Sequence, residues 1–209
     1  MKNAKNFGNI IHLPILKGDD NDRVIDILPP PELHLLLGPV NTLFKAMERE
    51  WTDALTWADS CHVSREALHG GQFNGNSCHA LLNKLDLLRS MCPLHCLKHL
   101  QCFEAFRQVV QSCYGHRLNP DYREHIQRFK KAYLDLGIGV TPKVHAVFYH
   151  IEDFCQMHNE GLARWSEQAL ETVHTDFKAT WAKYKVQDNH PEYASKLLCA
   201  VRDYNSKHV

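Results

Sequence analysis

Two cysteines and two histidines crowd one short stretch, Cys92-Pro93-Leu94-His95-Cys96-Leu97-Lys98-His99. Thiolate sulfur and imidazole nitrogen are the donors that suit zinc, and a Cys three positions before a His is a spacing that structural sites use. The pair occurs twice in succession, Cys92 with His95 and Cys96 with His99. On one continuous helix Cys92, Cys96 and His99 would share a face, as would His95 and His99. Four donors within two turns cannot surround one ion, because a structural zinc draws its pairs from two separate elements. Buried cysteines beside half-exposed histidines on a core helix explain the same residues without a metal, and this plainer account is preferred. Cys102 and Cys113 extend the pattern as small core residues.

A second constellation is Glu167, Glu171 and His174, which project from one helical face at i, i+4 and i+7. Carboxylates and an imidazole on one face can bind a divalent cation. Trp165, Ala169, Val173, Phe177, Trp181 and Tyr184 mark a different stripe, expected to face the core. A solvated polar face is therefore the plainer account of the acids. Glu171 and His174 also match the Glu-x-x-His element of di-metal helical bundles, but such bundles need a second copy on a facing helix, and the sequence offers none. A third group is basic: Arg123, Arg128, Lys130, Lys131 and Lys143 around one helix and its successor, then Lys178, Lys183 and Lys185 late in the chain. These could neutralise phosphates. Acids and bases balance between 120 and 209, so a solvated helix face is again the plainer account. No Gly-rich nucleotide cradle, nucleophile elbow or HExxH is present.

These side chains need helices to position them. Leu33, Leu36, Leu37, Val40, Leu43, Phe44 and Met47 recur at spacings of three and four, and Trp51, Leu55 and Trp57 extend the pattern. The glycines at 70, 71 and 75 predict a loop over 69–76. Asn76 then serves as the expected N-cap of a helix over 77–91. Further helices are expected over 94–114, 121–136, 143–158, 162–186 and 192–205, punctuated by Pro93, Gly115, Asn119-Pro120, Gly137, Thr141-Pro142, Gly161 and His190-Pro191. Before them, 10–16 and 24–28 read as extended pieces or a weak hairpin ahead of Pro29-Pro30-Pro31. The expected fold is all-α, about seven helices around a single core over 32–209, with a short extended or hairpin N-terminal segment over 1–31.

Composition narrows the class. Of 209 residues 44% are hydrophobic and 23% charged, which is enough to bury a core and argues against wholesale disorder. Lys+Arg and Asp+Glu both number 24, so any polyanion contact must come from a local patch. No run is long enough to span a membrane, and no secretory signal follows Met1. The expected location is intracellular, nuclear or cytoplasmic, where the 8 cysteines would be free thiols or ligands.

Three phrases carry a resemblance. They are Pro29-Pro30-Pro31-Glu32-Leu33-His34-Leu35-Leu36-Leu37-Gly38, then Thr141-Pro142-Lys143-Val144-His145, then Gly161-Leu162-Ala163-Arg164-Trp165-Ser166-Glu167-Gln168 with Trp181-Ala182-Lys183-Tyr184-Lys185-Val186 downstream. In order and wording the chain, over nearly its whole length, resembles the C-terminal part of transposon-derived, transposase-like proteins of invertebrate genomes. Many such enzymes have an RNase H-like core with three acidic residues (DDE type), the second and third separated by an all-helical insertion. Bound Mg or Mn activates water or a 3′-hydroxyl against a phosphodiester. The resemblance implies that Glu167 stands at the third acid and Asp26 at the second. The first would lie on an upstream strand, yet only 25 residues precede Asp26. The chain is thus expected to be a fragment, inactive alone in strand transfer, with DNA and an upstream catalytic core as its expected partners and no nucleotide cofactor. Metal-dependent nicking lost on Glu167→Ala would contradict that. The rival expectations are a protein-interaction or scaffold domain without catalytic ancestry, and a zinc-stabilised module built on Cys92, His95, Cys96 or His99.

Overall fold

Pro31 is extended (φ −71°, ψ 94°), and its carbonyl accepts the N–H of Leu35, which starts α1 (Glu32–Glu50). The computed structural model describes residues 29–63, 71–166 and 168–206, the last without the side chains of 168–172. The expected extended pieces and Asp26 lie outside the described residues, as does Glu167.

Helix α1 is the hub. Leu36, Val40, Leu43, Phe44 and Met47 are buried as the spacing predicts, each worth about 1.5–3 kcal/mol when fully withdrawn from water. Leu33 and Leu37 are only half-buried, and Leu35, outside the expected stripe, is buried instead. α1 packs against α2 (Ala54–Ser60), α3 (Gly75–Asn83), α5 (Leu97–Cys113) and α7 (Pro142–His158). α4 (Leu85–Met91) lies on α5, and α6 (Tyr122–Leu134) packs against both α5 and α7. A chain of aromatic contacts runs through this core: Phe44 with Phe73, Trp57 with Phe103, Phe106 with Phe129, and Phe129 with Phe148. The last two helices, α8 (Gln168–Trp181) and α9 (Tyr193–Asn205), pair mainly with each other through Phe177–Tyr204 and Trp181–Tyr193.

The fold is all-α, as expected. Nine α-helices rather than seven appear among the described residues, because two expected helices are each divided. Trp51 turns extended (φ −137°, ψ 105°) and ends α1 before the Trp57 segment. Lys84 (φ −116°, ψ 34°) separates α3 from α4. The expected run over 162–186 instead opens with a 3-10 turn, Leu162–Trp165, and Ser166 is extended (ψ 133°) before α8. The N-cap of α3 is Asn74, whose side chain accepts from the N–H of Ser77, not Asn76. Thr141 caps α7 at the N–H of Val144, with Pro142 in the first turn, as its sequence predicts.

Two polar details tie the layers together. Asn41 of α1 donates to the carbonyl of Phe73 (3.2 Å) and accepts from its N–H (2.7 Å), which clamps the segment entering α3. Gly38 of α1 lies against the aliphatic stem of Lys143. Six of the eight cysteines are buried, Cys92 is half-buried, and Cys199 on α9 is exposed. No described helix is long and apolar enough to cross a membrane.

Candidate functional site

The Cys/His stretch is not one helix. Cys92 is extended (ψ 125°) and ends α4, Pro93 is extended, and Leu94–Cys96 forms a 3-10 turn before α5 begins. The proline cannot donate to a helical ladder, so the chain breaks there. Cys92 therefore does not share a helix face with His99. His95 is exposed, and its Nε2 lies 3.1 Å from the carbonyl oxygen of Glu50. A carbonyl only accepts, so Nε2 carries the proton, and His95 satisfies one of the open carbonyls at the end of α1.

That bond brings the last residue of α1 beside the turn. The thiol of Cys96, a ring nitrogen of His99 and a carboxylate oxygen of Glu50 all lie within 4.8 Å of one another. His99 Nε2 stands 3.9 Å from Glu50 Oε1. Cys96 is fully buried, and His99 is only 2% exposed. Neither ring nitrogen of His99 has a hydrogen-bond partner, although buried polar groups are normally satisfied. An unsatisfied buried group of this kind costs about 1–3 kcal/mol. Burial pushes the His99 pKa down against the pull of Glu50, with His95 adding to the downward shift, so the ring is neutral. Burial pushes the Cys96 thiol up to about 11, and Cys92 and Glu50 add to this.

Sequence reasoning places a donor cluster here and names Cys96 and His99, but it misses Glu50. No local pattern could have revealed it, because the contact joins helix ends far apart in sequence. Of the Glu167, Glu171 and His174 constellation only His174 is described at the side-chain level, exposed on α8. Glu171 lies in α8 without a described side chain.

The eight basic candidates separate, with Arg123 meeting Glu152 at 3.5 Å and Lys178 exposed on α8. Arg128 and Lys131 line a groove of about 490 Å³ between α5 and α6, and Lys98, absent from the sequence-based set, joins them from α5. Gln101 and Gln108 add amides. Arg128 Nη1 donates to Gln108 Oε1 at 3.1 Å. Glu104 and Asp135 also line the groove; Arg89 engages Glu104 from α4, and Glu124 meets Arg128 at 3.8 Å. Lys130 instead sits over the Tyr149 ring of α7, 4.1 Å from its centroid. The Lys143 stem is taken up by Gly38, and Lys183 meets Asp203 at 3.5 Å. Lys185 is exposed beyond the end of α8. No protein-family model, curated protein or solved structure matches the chain.

Proposed function

We propose that this chain is a transposase-derived helical domain that contacts nucleic acid through the α5–α6 groove, in a nuclear or cytoplasmic setting. One observation carries the contact: Lys98, Arg128 and Lys131 converge from two helices beside the amides of Gln101 and Gln108. Cations and amides are the donors that phosphate oxygens take. The ancestry rests on the sequence phrases at 29–38, 141–145 and 161–168. Anisotropy of labelled duplex and single-stranded oligonucleotides across a salt series tests the reading. Affinity should fall with salt, by about 0.9 log unit per log unit for each duplex phosphate neutralised. Lys131→Ala and Arg128→Ala should each flatten that slope by about one unit, whereas Lys183→Ala, which lies outside the groove, should not. Salt-independent or absent binding would sink the reading.

A protein-binding scaffold is the second reading, favoured by the α8–α9 hairpin, where Leu198 is 59% and Val173 43% exposed. Large apolar side chains gathered on one exposed unit mark contact surfaces. Leu198→Glu should then abolish concentration-dependent association in sedimentation without altering the unfolding midpoint. Sedimentation as a monomer at every concentration would remove self-association from this reading.

A further inference from the structure

We propose that Glu50, Cys96 and His99 bind one zinc-class divalent cation, fastening the end of α1 to the start of α5. Three donor types meet there from two elements distant in sequence, carboxylate oxygen, thiol sulfur and imidazole nitrogen, all within 4.8 Å of one another. This is the two-element supply of ligands that the Cys/His stretch lacks by itself. The second observation is independent of the clustering. His99 is 2% exposed, and both of its ring nitrogens go without a hydrogen bond. A buried imidazole whose nitrogens make no hydrogen bond, set beside a thiol, presents the donor atoms that a transition metal takes.

The donor set selects the ion. Sulfur and nitrogen favour zinc or a neighbouring transition metal over magnesium or calcium, which take oxygen. Zinc bonds of about 2.0–2.3 Å put donors roughly 3.3–3.8 Å apart in a tetrahedron. His99 Nε2 and Glu50 Oε1 stand at 3.9 Å and no donor pair exceeds 4.8 Å, so the donors close on an ion by moving together, a shift of up to about 1.5 Å. The Glu50 side chain is 53% exposed and free to make it. On binding, a sulfur–metal bond replaces the Cys96 S–H bond, and the proton passes to solvent. The thiolate and the Glu50 carboxylate then offset the two positive charges in a buried place. Water fills the fourth position on the exposed Glu50 side. The His95 bond to the Glu50 carbonyl (3.1 Å) holds the two elements in place before any ion arrives.

Cobalt(II), a spectroscopic stand-in for zinc, tests this on the chelator-stripped full chain. The expected result is one cobalt per chain with a thiolate-to-cobalt charge-transfer band, and a zinc-dependent rise in the unfolding temperature. Cys96→Ser should remove the band. If that variant does not fold, Glu50→Gln decides, since its exposed side chain is not needed for packing: affinity should fall roughly tenfold or more at unchanged helicity. Cys199→Ser, remote on α9, should bind as the native chain does. Absence of a thiolate band, or cobalt affinity unaltered in Glu50→Gln, overturns the assignment.

Discussion

Asn41 uses one amide to hold both the N–H and the carbonyl of Phe73, 32 positions away. Replacing it by Ala strands both backbone groups in a buried place, which should cost about 2–3 kcal/mol, read as a lower urea midpoint. An unchanged midpoint would show that water replaces the amide. Tyr133 supplies the pH dependence. It is fully buried, its hydroxyl donates to the carbonyl of Gly139 (2.8 Å), and burial pushes its pKa up to about 12, with Cys102 adding. The folded value exceeds the unfolded one of 10.0, so the contribution is complete below pH 10. It is lost as pH climbs toward 12, where the unfolded chain ionises first. Native protein should lose stability steeply across that window, and Tyr133→Phe should show a shallower loss. Residue types at helix starts were legible in the sequence, as Thr141-Pro142 shows. Glu50 and Lys98 were not, because their partners come from other helices and no periodicity encodes a tertiary neighbour.

Breaks decide how helices stack, and breaks were the least legible feature. Apolar spacing runs through Lys84 without interruption, yet the chain bends there, and the Trp57 indole N–H donates to the Lys84 carbonyl at 3.4 Å. Trp51 likewise leaves the helix although its side chain continues the apolar stripe. Periodicity sees which face is buried, not where the backbone must turn to bury the next one. Gly161 shows the converse, a glycine read as a stop that also serves packing. A Cβ placed on it would stand 1.9 Å from the carbonyl oxygen of Gly115, and its N–H donates to the carbonyl of His116 at 3.3 Å. The exit of α7 and the α5–α6 connection meet there backbone to backbone. Gly161→Ala should cost about 2–3 kcal/mol or more. Thermal unfolding at the native temperature would refute this close approach.

At the scale of the whole molecule the apolar side chains of the described residues form two unequal groups. The main cluster runs from Leu35 to Leu162, and the α8–α9 hairpin encloses a small one with Thr180 and Ala200 buried. The stripe from Trp165 to Tyr184 was legible as apolar and expected to face the core, but Phe177 and Trp181 pair with Tyr204 and Tyr193 of α9 while Trp165 packs on Phe154 and His158 of α7, and Trp165 and Val173 remain 40% and 43% exposed. Sequence spacing reports that a face is covered without reporting by what. The distribution of sulfur follows the same division. Seven cysteines, from Cys61 to Cys155, belong to the larger body, and Cys199 stands alone on the hairpin. Reaction with a chromogenic disulfide under native conditions should therefore release colour in stages: one equivalent at once from Cys199, a second slowly from Cys92, and the remaining six only as denaturant opens the body. Simultaneous release of all eight would mean that the interior breathes as freely as the hairpin. Staged release would give the chain a stopwatch of its own, with each stage timing a different depth of the molecule.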